Sequence, residues 1–198
     1  AEALFGPLQQ VLAEVGDLVA PTSFDPAQAT GVLRLAAPDI IAYMLGPALL
    51  RGLARQAPKL DLEFVQWSLS WRDQLASGEV DLTFGEAGGR DRGIHSTLLV
   101  RNDWATVVRK GHPALRKRWC LETFVDLRHL LIGFTPHGGG HVDSALAVLG
   151  KKRRVGLRMP YVVLSPLIVA ESDLALTTAR WLALKFAQPM GLVVKPPP

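Results

Sequence analysis

The chain has 198 residues, 48% of them hydrophobic and 20% charged, and its 22 Lys and Arg outweigh 18 Asp and Glu for a formal charge of +4. Such a chain can bury a core that folds without metal or disulfide staples, which excludes a disordered tail and a stapled mini-protein and leaves one large domain or two small lobes. Residues 1–30 carry −4, residues 31–100 carry −1 and residues 101–198 carry +9, so the cationic excess belongs to the second half, where an anionic ligand, a nucleic-acid surface and a solvated face are the open readings.

Leu4, Leu8, Val11, Leu12, Val15 and Leu18 or Val19 recur at helical spacing and Pro21 stops them, which predicts an amphipathic helix over 3–19 and a boundary near residue 25. It reads either as a linker or dimerisation element or as an ordinary packed helix. From Gly31 short β-rich runs alternate with longer helical ones. Strand 32–37, helix 39–56, strand 60–66, helix 69–77 and strand 80–84 form a βαβαβ unit. Asp39 stands as N-cap of the first helix, Ile41, Leu45, Leu49, Leu50 and Leu53 make its broad apolar stripe, and Ala57-Pro58 ends it. Gly78 closes the next helix before Val80, Leu82 and Phe84, whose alternation suits a core strand.

After the loop from Glu86 to Gly93 the chain is extended from Thr97 to Arg109, interrupted by Asn102 and Asp103, and turns at Lys110-Gly111-His112-Pro113. Helix 121–126, strand 129–134, helix 141–149, strand 153–158, helix 163–171, strand 173–176, helix 179–187 and strand 191–195 then make a second α/β lobe. Two lobes joined by extended segments enclose a cleft, and ligands in such sheets sit beyond the carboxyl ends of strands.

Val32-Leu33-Arg34-Leu35-Ala36-Ala37-Pro38-Asp39, Ala76-Ser77-Gly78-Glu79-Val80-Asp81-Leu82 and Val107-Val108-Arg109-Lys110-Gly111-His112-Pro113, with Gly138-Gly139-Gly140 and Asp173-Leu174-Ala175-Leu176-Thr177, resemble the effector-binding domain of LysR-type transcriptional regulators. The resemblance covers residues 24–198. It implies an α/β fold of two Rossmann-like subdomains around a cleft, like type II periplasmic binding proteins, preceded by part of a linker helix. It divides the chain into 1–24 (end of linker helix and linker), 25–103 (subdomain I) and 104–198 (subdomain II). It also implies a cytoplasmic sensor of a small-molecule effector, not an enzyme, that forms a homodimer or homotetramer and meets DNA through an N-terminal helix-turn-helix.

No such motif precedes residue 1, and the chain stops at Pro196-Pro197-Pro198 where the family crosses back to its first subdomain. Either the piece ends early or the first lobe is incomplete. Pro38 stands where relatives often carry a Ser or Thr that hydrogen-bonds the effector, an anchor its side chain cannot supply. A periplasmic-type solute-binding protein shares the fold and is the rival reading. The linker-like helix and the single Cys120 argue against it, as does the absence of Lys and Arg from residues 1–20, although a mature exported chain would share that last feature.

Phe134-Thr135-Pro136-His137-Gly138-Gly139-Gly140-His141 follows a strand and opens a helix, which suits either an anion nest of backbone N–H groups or a plain flexible connection. It lacks the endings of a P-loop or dinucleotide fingerprint. His137 and His141 are four apart but separated by glycines, with no carboxylate or cysteine completing a set, so no metal is expected. His95, His112 and His129 read as structural. The backbone of Asp39 and Ile40 is expected to face the cleft beside Pro38, with Phe84, Gly85, Asn102 and Asp103 as walls. Thr135, His137, Gly138, Gly139 and Gly140 face them, and Tyr161, Ser165 and Thr177 complete the ligand-binding set, Thr177 and Thr178 as helix caps.

No Gly-x-Ser-x-Gly elbow, His-Glu-x-x-His or Cys-x-x-Cys occurs, Cys120 has no activating base, and Asp61 and Glu63 alternate toward solvent on a strand, so neither catalysis nor a cofactor is expected. No apolar run approaches the roughly 18 residues of a membrane span. The basic clusters at 109–118 and 151–154 lack aromatic interleaving and read as solvated loops before DNA contacts. The second-half charge and the glycine loop favour an anionic effector, an aromatic or aliphatic carboxylate.

Overall fold

The computed structural model describes residues 24–85, 93–135 and 138–198. The helix expected over 3–19, most of the loop from Glu86, and His137 lie outside them. In the first half, β1 (Gly31–Ala37), α1 (Asp39–Gln56), β2 (Leu60–Gln66), α2 (Trp71–Ala76) and β3 (Leu82–Thr83) build a parallel sheet of order β2-β1-β3. The central strand ends in Leu35, Ala36 and Ala37, all buried, the continuous apolar run that a strand covered on both faces requires.

The expected strand over 80–84 shrinks to two residues. Val80 is buried ahead of it, but Leu82 is 51% exposed and is no core residue. The ladder is replaced there by Asp81, whose carboxylate accepts the Arg34 N–H at 2.7 Å while its own N–H donates to the Arg34 carbonyl at 2.9 Å. A side chain that bonds neighbouring backbone in this way competes with regular pairing. The helix expected over 69–77 begins only at Trp71, after Ser68 and Ser70 bond each other through their hydroxyls at 2.8 Å. Gly78 follows it at φ 73, the left-handed turn that ends a helix most cheaply in glycine.

Asp39 is not the N-cap of α1. Pro38 is, in extended conformation, and its carbonyl accepts the Ile41 N–H at 2.9 Å. The ring of Pro38 offers no capping group, so the Asp39 carboxylate, one residue inside the helix, points elsewhere. Gly46 is the buried residue of α1, and Leu45, Leu49 and Leu53 are half-buried while Leu50 is exposed.

The second half holds β4 (Trp104–Arg109), α3 (Leu121–Val125), β5 (Arg128–Ile132), α4 (His141–Val148), β6 (Arg154–Met159), α5 (Ser165–Ala170), β7 (Leu174–Ala179), α6 (Arg180–Ala187) and β8 (Leu192–Lys195). They form a sheet of order β6-β5-β7-β4-β8, with β5 parallel to β6 and β7, and β4 antiparallel to β7 and β8. Ala105, Val107, Leu130, Val169, Leu176, Ala183 and Leu192 pack as its core. Residues 97–103 form no strand, so the expected extended pairing starts at Trp104. Strand β7 instead runs on to Ala179, because Thr177 and Thr178 pair with Thr106 and Ala105 and the Thr106 and Thr177 hydroxyls bond at 3.0 Å. These threonines are therefore strand residues, not the expected caps of α6, whose N-cap is Ala179.

Candidate functional site

The carboxyl ends of β1, β2, β5 and β6 converge on one cleft, the position that parallel strands followed by helices leave for a ligand. A cavity of about 230 Å³ there is lined by Ala37, Pro38, Asp39, Ala42, Phe64, Val65, Gln66 and Trp67 from the first half and Phe134, Pro160 and Tyr161 from the second. The Trp67 and Phe134 rings meet edge to face across it, centroids 5.5 Å apart at 63°, the arrangement aromatic quadrupoles favour. Further along α1, Tyr43 stacks on Phe186 at 6.2 Å and receives the Lys185 ammonium 4.6 Å from its ring centre.

Asp39 is the charged residue of the lining. Its Oδ1 accepts the Val162 N–H and its Oδ2 the Val163 N–H, each at 2.9 Å, so the carboxylate bridges the cleft. Among the described residues no Lys or Arg lines this cavity, and the described cations of the second half lie elsewhere. A second cavity of about 380 Å³, beside β8, is lined by Trp104, Ala105, Arg180, Leu184, Val194, Lys195 and Pro196 and does carry two cations.

Of the residues expected from sequence, Pro38, Asp39 and Tyr161 line the cleft. Ile40 sits half-buried in the first turn of α1. Phe84 donates its N–H to the Ala36 carbonyl, and Gly85 adjoins Trp67, a β-carbon there lying 3.6 Å from the indole nitrogen. Asn102 bonds the Asp103 carbonyl, which also accepts the Arg180 N–H, and both stay outside the lining. Ser165 is fully buried, donating to the Tyr161 carbonyl at 2.6 Å, and Thr177 is held by Thr106.

The glycine loop is already occupied by the chain's own groups. The Gly140 N–H donates to Asp143 at 2.7 Å and the Gly138 carbonyl accepts from Arg158. None of Gly138, Gly139 and Gly140 has positive φ. What they supply is room, because a β-carbon on Gly140 would meet Leu131 at 2.9 Å. Thr135 lies half-buried beside Gly138. His112 accepts the Ala114 N–H, and His129 is fully buried against the Phe124 carbonyl, both structural roles. His141 packs on Trp104 at 5.3 Å. Among the described residues no group of three His, Cys, Asp or Glu could hold a metal, and no helix is long and apolar enough to cross a membrane.

Phe64, Gln66, Trp67 and Pro160 escaped the sequence reading. Their signal was present, since Phe64 and Gln66 lie at the end of the strand expected over 60–66, Trp67 follows it and Pro160 follows the strand expected over 153–158, and the strand-end rule applies to all strands of a parallel sheet.

Two α/β sheets whose strand ends face a shared cleft define an effector-binding fold of the type II periplasmic-binding kind. The LysR substrate binding domain family matches residues 26–198, and the chain belongs to that family. The HTH-type transcriptional activator NagR of Ralstonia sp is 30% identical over 177 residues, 89% of this chain and 59% of that protein. The chain thus spans about three fifths of the length of the curated relatives it matches, which are named as regulators of transcription and not as enzymes. Its fold superposes on the probable transcriptional regulator PA0477 from Pseudomonas aeruginosa with a TM-score of 0.83 at 29% identity, covering 100% of this chain and 66% of that one. It also shares the fold of the BenM effector binding domain, solved with its effector benzoate, at a TM-score of 0.64 and 19% identity over 85% of this chain and 78% of that one.

Proposed function

We propose that the chain is the effector-sensing part of a LysR-type transcriptional regulator, and that its effector is a small aromatic carboxylate held in the cleft between the two sheets. Residues 25–103 and 104–198 act as the two subdomains, with residues 1–24 ending a linker helix that leads to a DNA-binding helix-turn-helix in the intact cytoplasmic regulator. The subunits pair as homodimers or homotetramers through the half-covered apolar face of α1. Effector binding changes the angle between the subdomains, and a coupling of about 1 to 3 kcal/mol to the quaternary arrangement suffices to switch DNA binding.

The observation that carries this reading is the cleft itself, with Trp67, Phe134 and Tyr161 around a cavity of about 230 Å³, close to the smallest volume usual for a small-molecule site. Benzoate, the effector with which the BenM domain was solved, is of the same chemical class. Since no cationic side chain among the described residues lines the cavity, backbone N–H groups there are the groups offered to the ligand's charge. The test is calorimetric titration with aromatic carboxylates and their amides. Carboxylates are expected to bind, and Trp67→Ala to weaken them about tenfold, the scale of one lost aromatic contact. Preference for the amides, or equal binding by Trp67→Ala, would contradict the reading.

A further inference from the structure

The Val162 and Val163 N–H groups lie in the turn between β6 and α5, and that turn is held from behind. Ser165, fully buried, donates its hydroxyl to the Tyr161 carbonyl at 2.6 Å, and its N–H reaches the Val162 carbonyl at 3.3 Å. Two successive amides are thereby aimed at one point in the cleft, the geometry by which backbone binds anions. What occupies that point is the Asp39 carboxylate, reaching over from the first turn of α1 with one oxygen per amide at 2.9 Å. Asp39 is drawn there because Pro38 holds the cap position, so the carboxylate has no capping duty.

We infer that the Val162–Val163 amide pair is a carboxylate subsite of the cleft and that Asp39 is its resident placeholder. An incoming carboxylate takes over the two N–H groups and releases Asp39, and with it the strap between the two sheets. The inference rests on the proposed cleft reading and adds to it how binding is coupled to motion. It also supplies an anion-binding group to a cavity that no Lys or Arg lines among the described residues. An internal competitor lowers apparent affinity by the fraction of time it occupies the subsite, so Asp39 sets the effector concentration at which the strap opens.

Hydrogen exchange at the two amides tests this directly, using the chain with Asp39→Ala and with the near-isosteric Asp39→Asn, each checked for native circular dichroism. Acetate is the probe, because a bare carboxylate makes no use of the aromatic walls, and chloride at equal ionic strength is the control. Exchange at Val162 and Val163 is expected to rise about tenfold or more in Asp39→Ala, the loss expected for charge-assisted bonds. Acetate, and not chloride, is expected to slow it again. Unchanged exchange in both variants, or amides that acetate leaves fast, would overturn the inference, even if aromatic carboxylates bind elsewhere in the cleft. Protection by acetate with no gain for aromatic carboxylates would instead uphold the subsite and remove the aromatic-effector reading.

Discussion

Arg153 holds the carboxylate of Asp143 with two nitrogens, Nε on Oδ1 and Nη2 on Oδ2, both at 2.8 Å. The same carboxylate takes the Gly140 N–H, so one buried guanidinium anchors the glycine loop through a single acidic side chain. The Arg153 side chain is only 2% exposed and that of Asp143 29%. Arg153→Met is expected to cost about 2 kcal/mol in urea denaturation, below the full value of a buried pair because Asp143 keeps some solvent. Arg153→Lys, which retains charge but not the fork, is expected to cost about half as much. A loss under a few tenths of a kcal/mol for both would show the pair to be incidental.

His129 sets a pH dependence. Its Nε2–H donates to the Phe124 carbonyl at 2.8 Å, which leaves Nδ1 as a buried acceptor without a partner among the described residues. Protonation would add a donor there with nothing to receive it, and burial holds the pKa down to about 4 from 6.5. Below pH 6.5 the unfolded chain takes up a proton the folded one refuses, so stability is full above that value and falls as pH drops toward 4, by about 3 kcal/mol in all. Asp143 acts in a lower window. Arg153 depresses its pKa to about 2 from 3.8, so its contribution is present above the ordinary value and disappears as pH falls through 2. Urea midpoints across this range test the assignment, with His129→Gln expected to flatten the slope between pH 6.5 and 4 only.

Gly52→Ala in α1 is expected to stabilise the chain. A β-carbon there would meet no heavy atom within 4 Å, while alanine removes the entropic cost of a helical glycine, about 0.5 to 1 kcal/mol. A lowered melting temperature would mean that Gly52 has a packing role the geometry does not show.

Cys120 occupies the N-cap of α3 without a side-chain bond to the helix backbone. Cys120→Ser places a better cap in the same extended conformation and is expected to add about 0.5 kcal/mol, within the usual range for such exchanges. Loss of stability would indicate that the thiol's packing outweighs its position.

The alternation of β-rich and helical runs made the order of elements legible, and α1 and β2 span the ranges their periodicity and the Ala57-Pro58 stop indicate because those signals are local, although the cap of α1 is Pro38 and not Asp39. Misjudged points were decided by distant partners. Thr177 and Thr178 are good cap residues by type, yet β4 pairs with them, and Leu82 alternates like a core residue, yet Asp81 interrupts its ladder. In the cleft, Pro38, Asp39 and Tyr161 could be placed from strand ends. The use of Asp39 could not, because Val162 lies 123 residues away and no local pattern records that contact. The charge balance also depends on distant partners. Arg153 is taken by Asp143 and Arg109 by Asp173, and among the described residues no Lys or Arg lines the cleft cavity.

Amide resonance mapping during titration with benzoate tests the central claim most directly, because the two cavities differ in sign and place. Shifts centred on Ala37 to Asp39, Gln66, Trp67, Phe134 and Tyr161 to Val163, strongest at Val162 and Val163, are the expected result. Shifts centred instead on Trp104, Arg180, Leu184 and Lys195 would place the anion in the cationic cavity beside β8 and contradict the account.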